Sequence, residues 1–309
     1  MIYSFIKFIF KIIELFTANF YEFKVYKKKL DNKNKILNEN LSSSICVLMQ
    51  GPLIEKNNFT FETLKWYKNC NPEICIIFST WFNQNVRIIE DIKNLGIYVI
   101  ENELPKHKGI VNVNLQIIST NSGLNLAEAK NFLYVLKTRS DQRIYEYKYL
   151  FNFFMNILKV FPINENAFLK ERLIVTSLNT YQNRLYGISD MFMFGRISDM
   201  KLYWNIPLQS KKILPIDIDN KYYISYKLGE GAFVMNFFSK INYNPKWNIE
   251  DNDLFYSKYF YVVDKEAIGL FWYKYKRYDG FNYYNDESKS TFFTRVNFSD
   301  WLNAYTKFK

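Results

Sequence analysis

The 309-residue chain contains one histidine, three cysteines, ten glycines and seven prolines. Each scarcity excludes something. With His107 alone, neither a histidine-rich metal site nor a Ser-His-Asp triad is supported. Cys46, Cys70 and Cys75 form no CxxC pair and no even framework. They fit a reduced, cytoplasmic setting in which buried thiols act as small apolar groups. So few glycines and prolines exclude collagen-like and linker-rich chains. Neither GxGxxG nor GxxxxGK[ST] occurs, so no dinucleotide fingerprint and no P-loop is present. No RNP-type or zinc-finger signature appears, and nucleic acid is not expected as a partner.

What the chain does have is apolar surface. Hydrophobic residues make up 49% of it and aromatics 19%, with 29 Phe and 25 Tyr, a supply that predicts a packed core rather than disorder. The net charge of +11 could attract nucleic acid, anionic lipid or phosphorylated small molecules, but it is uneven. Residues 1–35 hold eight lysines against three acids, so the body is only mildly basic. Residues 2–16 hold apolar side chains all along, broken by the charged Lys7, Lys11 and Glu14, whose i, i+4, i+7 spacing places them on one stripe of a helix. The run is too short and too charged to span a bilayer. It also lacks the order of a secretory signal. The basic-aromatic stretch 24–29 follows. Two readings stand for residues 1–43: a segment lying on the anionic inner leaflet, which makes the protein peripheral to the inner membrane, or a helix docked on the protein's own core. A polar linker then leads to a folded domain starting near Ser44.

From there apolar runs alternate with amphipathic ones. Strands are expected at 45–49, 74–78, 97–100 and 132–136. Helices are expected at 61–69, 84–94 and 112–131, the last broken near Gly123. This pattern predicts an α/β fold with a mostly parallel sheet covered on both faces. Ligands of such sheets bind beyond the carboxyl ends of the strands. Those ends supply Gln50, Gly51 and Pro52, then Ser79, Thr80 and Trp81, then Asn102, then Lys137, Arg139 and Asp141. They suit a nucleotide diphosphate, with Trp81 as apolar or stacking surface and the cations on phosphate. Lys137, Arg139 and Asp141 alternate, so an extended backbone turns all three to one side. A purely structural Arg139–Asp141 pair is the competing reading.

The second half offers a helix at 151–160, a strand at 173–176 and two conspicuous acids. Asp190 lies in a polar turn within 186–195. Glu230, between Gly229 and Gly231, opens an apolar helix. Each is either a cap or a functional carboxylate. The aromatic, cation-bearing stretch 255–284 reads as a closing subdomain packed over the sheet, rather than as a platform for single-stranded nucleic acid.

The stretches VLMQGPL (47–53), IIFSTW (76–81), the Asn114/Gln116 helix with GL at 123–124, LKTRSD (136–141) and GISDMFMFG (187–195) run in order. In them the chain resembles the WavE family of bacterial lipopolysaccharide-synthesis proteins. The resemblance implies a glycosyltransferase of GT-A-like fold that builds surface polysaccharide. It implies one domain over 44–309, with a nucleotide-binding half (44–150) and an acceptor half (151–309). The donor would be a nucleotide-sugar. The acceptor would be a glycan or lipid-linked glycan of lipopolysaccharide, lipooligosaccharide or capsule. Gln50, Gly51, Pro52, Thr80, Trp81, Asn102, Asn114 and Gln116 would frame the nucleotide, and Lys137, Arg139 and Asp141 the diphosphate. In such folds a DxD-type motif after the fourth strand holds a divalent cation, Mg or Mn. Here Arg139 stands where the first acid belongs, which leaves Asp141 as the one anionic ligand and puts metal dependence in question. A cation of the chain could neutralise the leaving diphosphate instead. An inverting reaction needs a carboxylate base. Asp190 and Glu230 are the candidates, with Glu230 preferred on its Gly-flanked turn. Two alternatives remain at this level: transfer of a phosphorylated group onto capsule sugars, and a non-catalytic membrane-peripheral binding protein.

Overall fold

Continuous apolar runs bury on both faces when helices cover them, and the chain follows that rule. In the computed structural model, residues 2–17, 43–163, 168–182, 184–210, 229–273 and 295–309 are described. The basic stretch 24–29, the linker up to residue 42 and the aromatic residues 274–284 lie outside them. The chain divides into two compact units, Met1–Asp31 and Asn32–Lys309. The first contains helix α1 (Ile2–Thr17). Among the described residues, no helix is long and apolar enough to cross a membrane.

The second unit opens with β1 (Ile45–Gln50), α2 (Phe59–Cys70), β2 (Cys75–Trp81), α3 (Val86–Asn94), β3 (Tyr98–Asn102), α4 (Val113–Ala129) and β4 (Tyr134–Arg139). Next come β5 (Gln142–Ile144), α5 (Leu150–Val160), β6 (Leu173–Thr176), β7 (Met193–Arg196) and α6 (Ile197–Trp204). The described chain closes with α7 (Glu230–Lys240), α8 (Ile249–Tyr259), β8 (Phe260–Val263), β9 (Leu270–Trp272) and α9 (Phe298–Phe308). Seven strands form one sheet in the order β3-β2-β1-β4-β7-β6-β8, and β5 pairs with β9 in a separate ribbon. Strands β1 to β4 are mutually parallel, as are β6 and β8. This is the mostly parallel, helix-flanked α/β sheet that the alternating pattern predicts, and both sequence halves contribute strands to it.

Three features depart from expectation, each for a physical reason. β7 runs antiparallel to both β4 and β6. A return strand needs only a loop at one edge, whereas a parallel neighbour needs a crossover. Helix α4 runs unbroken through Gly123. A Cβ there would lie 2.0 Å from Leu48 Cδ1, so the glycine lets α4 pack directly on β1. Close packing outweighs the roughly 1 kcal/mol that an interior glycine costs a helix. Finally, β2 and β4 extend past their apolar cores. Thr80 pairs with Glu101 and Thr138 with Met49, so these polar residues are strand, not loop.

The described part of the aromatic C-terminal stretch does not form a separate lid. It supplies β8 to the main sheet and β9 to the ribbon. Trp301 of α9 packs on Phe161 and Tyr261.

Candidate active site at the carboxyl edge of the sheet

Pairing register sets the ends of the parallel strands level. Gln50 lies opposite both Ser79 and Arg139, and Trp81 opposite Asn102. β7 enters the sheet at the same edge, because Met193 pairs with Lys137. An antiparallel strand begins where its parallel neighbours end. The loop from β6 to β7 therefore delivers Asn179, Arg184 and Asp190 to the edge carrying Gln50, Thr80 and Arg139.

One side of this edge is a backbone scaffold. The Ser140 N–H donates to the Gln50 carbonyl at 2.9 Å, and the Gly51 N–H to the Ser79 carbonyl at 3.0 Å. Gly51 adopts φ +125°, a backbone conformation that favours glycine, and a Cβ there would also lie 2.6 Å from Ser140 Oγ. The Gln50 side chain accepts from Ser119 Oγ at 2.8 Å. Asn102 donates to Ser79 Oγ at 2.9 Å and to the Thr80 carbonyl at 2.7 Å, locking β3 to β2. Pro52 is exposed. Trp81 is buried in the core, so the stacking surface expected of it is not open; exposed Phe82 follows it. Asn114 sits on α4 but serves as a clamp. It donates to the carbonyls of His107 and Gln209, each at 2.8 Å, and accepts from the Gln209 N–H at 2.8 Å.

At the end of β4, Arg139 grips Asp141 with two hydrogen bonds, Nε to Oδ1 at 2.9 Å and a terminal nitrogen to Oδ2 at 3.0 Å. Trp272 Nε1 of β9 adds a third bond to Oδ2 at 3.0 Å. These donors do not fit a divalent cation on Asp141, since an arginine already neutralises the carboxylate. Among the described residues no group of three His, Cys, Asp or Glu could hold a metal ion. The competing reading of the alternation, an internal Arg–Asp pair, is the arrangement found.

Deeper lies a group of charged side chains. Lys137 is fully buried, donates to the Asp190 carbonyl and lies 4.3 Å from the centroid of the Trp204 ring. Burial lowers its pKa to about 7, against the pull of Asp190 and with a further push from Arg139. The Asp190 carboxylate accepts from Gln116 Nε2 at 2.5 Å. Glu230 begins α7, accepts from Asn179 Nδ2 and faces Arg184 at 3.7 Å. Burial, then the nearby Asp190 charge, raise its pKa; Arg184 opposes them. Tyr203 of α6 is also buried here. Desolvation first, then Asp190 and Glu230, push its hydroxyl above the ordinary tyrosine range. Among the described residues, Thr80 Oγ1, Gln116 Oε1 and the Tyr203 hydroxyl are buried without a hydrogen-bond partner. Such orphaned atoms call for an explanation, and a polar ligand is one.

The edge thus unites Gln50, Gly51, Thr80, Asn102, Arg139 and Asp141 at the ends of the parallel strands. Gln116, Lys137, Asp190 and Glu230 form a second, mutually interacting group. A family model for WavE lipopolysaccharide synthesis matches residues 45–232. The chain belongs to the WavE lipopolysaccharide synthesis family. Every expected site residue of this WavE chain falls inside the matched span. No curated protein matches it. Among solved structures, a glycosyltransferase involved in glycosylation of the major capsid of PBCV-1 is similar at 12% identity, over 76% of this chain and 96% of that one, with a TM-score of 0.38. A cytidylyltransferase from Leptospira borgpetersenii serovar Hardjo-bovis is similar at 11% identity, over 69% of this chain and 85% of that one, with a TM-score of 0.35.

Sequence reasoning missed Asn179, Arg184, Tyr203 and Trp272 in this WavE site. Asn179 and Arg184 belong to no motif and reach the edge only because β7 reverses direction. Tyr203 follows the helical spacing of a core aromatic. Trp272 depends on a pairing between β5 and β9 that no local pattern announces.

Proposed function

We propose that this WavE-family protein is a glycosyltransferase, moving a sugar from a nucleotide-sugar donor to a lipopolysaccharide-type acceptor. The observation that carries the reading is the gathering of Asp190, Glu230 and Lys137 beside the carboxyl ends of β1 to β4. In the reaction the acceptor hydroxyl attacks the anomeric carbon of the donor. The bond from that carbon to the nucleotide diphosphate breaks, and the diphosphate leaves with the electron pair. The hydroxyl proton passes to a carboxylate.

Glu230 is the better base. Its raised pKa brings proton affinity closer to neutral pH, where a general base is most effective. Asp190, oriented by Gln116, keeps that pKa raised by its charge. Lys137 holds the Asp190 backbone in position, beside the Arg139–Asp141 pair at the end of β4.

The test is a thermal-shift panel of UDP-, GDP-, CDP- and ADP-sugars, followed by transfer of the labelled sugar from whichever class stabilises the protein. One nucleotide class should raise Tm. The absence of any shift across the panel, with CDP-linked alditols alone acting as donors, would contradict the reading and favour transfer of a phosphorylated group.

A further inference from the structure

Helix α1 is a surface without an assignment in the transfer reaction. It is 16 residues long, about 24 Å at 1.5 Å per residue, against roughly 30 Å of bilayer hydrocarbon. Its apolar side chains are largely exposed. Phe5 is 64% exposed, Phe8 60%, Leu15 83% and Phe16 86%, and Ile9, Ile12 and Ile13 are exposed as well. At 100° per residue these seven share one broad arc, while Lys7, Lys11 and Glu14 occupy the opposite side. A contiguous apolar face of this kind marks an interaction site.

Charge decides what covers it. A protein groove or a second copy of the helix would satisfy the apolar arc but gives no reason for lysines beyond it. Residues 1–35 carry eight lysines against three acids, far above the rest of the chain. Each lysine close to an anionic leaflet contributes about 1 kcal/mol. A short helix with an apolar arc, lysines on its polar side and a basic sequence behind it has the chemistry of an interfacial anchor.

We infer that α1 lies in the plane of an anionic phospholipid surface, with Phe5, Phe8, Ile12 and Phe16 among the acyl chains and Lys7 and Lys11 toward the headgroups. This goes beyond the transfer reaction and does not depend on it. An acceptor built on lipid would then be met at the surface where it resides.

Flotation of the full chain with vesicles of phosphatidylglycerol and phosphatidylcholine tests it, with pure phosphatidylcholine vesicles alongside. The native chain should float with the anionic vesicles, less with the neutral ones and less at high salt. The double variant F8E/I12E should lose binding by at least about tenfold, because binding scales with buried apolar area, whereas F8L/I12L should keep it. The substituted side chains are exposed, so the unfolding temperature of F8E/I12E should match the native value. Equal flotation of native and F8E/I12E would overturn the inference. So would failure of the native chain to float while sedimentation shows a dimer that F8E/I12E dissociates, which would assign the face to a second copy.

Discussion

At the scale of single residues, Glu230 combines its proposed role as base with a structural cost. Its carboxyl is buried beside Asp190, and its pKa is raised relative to an unfolded chain. A raised carboxyl pKa contributes stability below the ordinary glutamate range and loses it as pH climbs through the folded value. Ionised Glu230 therefore weakens the fold at neutral and alkaline pH. Glu230→Gln keeps an acceptor for Asn179 and removes the charge. The variant should gain in Tm at pH 8 and gain little or nothing at pH 4, as followed by thermal unfolding. A loss of Tm at pH 8 larger than at pH 4 would show that the Arg184 contact outweighs burial. Active sites often hold such destabilising groups, and relieving them trades function for stability.

The residue scale also shows what the sequence conceals. Lys137, Arg139 and Asp141 are visible as an alternation, but β4 ends at Arg139 and the chain turns at Ser140 and Asp141, so the extended backbone that would align all three stops short of the third. Their partners are not visible. Arg139 meets Asp141, and the carboxylate is held as well by Trp272 from another strand, 131 positions beyond Asp141.

Among elements, β1 to β4 were legible because buried parallel strands are apolar throughout and their helices carry the breakers. Their ends were less legible. β2 and β4 gain further pairs through Ser79, Thr80, Lys137 and Thr138, whose polar side chains look like loop residues until neighbouring strands are known. The reversal of β7 was invisible, and with it the convergence of Asn179, Arg184 and Asp190. Gly123 gave a false signal for a related reason: glycine weakens a helix locally, yet here it serves the packing of α4 on β1. Gly123→Ala should therefore destabilise the protein by about 1–3 kcal/mol through overpacking against Leu48. Adding Leu48→Val should recover part of that loss in urea unfolding. Stabilisation by Gly123→Ala alone would mean that helix propensity, not close approach, governs the site.

For the whole molecule, one sheet edge gathers the charged side chains of the proposed site. Asp141 is neutralised by Arg139 and fixed by Trp272. Sugar transfer should accordingly persist in EDTA, with the turnover unchanged when Mg or Mn is restored. Abolition by EDTA with full recovery on adding Mn would place a cation on the diphosphate despite that ion pair. The aromatic C-terminal stretch, which reads as a separate cover, belongs in its described part to this sheet and its ribbon. Aromatic richness alone does not distinguish a lid from a core.

The most direct measurement is single-turnover transfer by Glu230→Gln and Asp190→Asn, with donor binding measured by calorimetry on the same proteins. Both variants should bind the nucleotide-sugar close to the native affinity. Glu230→Gln should transfer sugar about 10²- to 10⁴-fold more slowly, the usual contribution of a general base. Native rates in both variants, with donor binding intact, would contradict a carboxylate base at this edge.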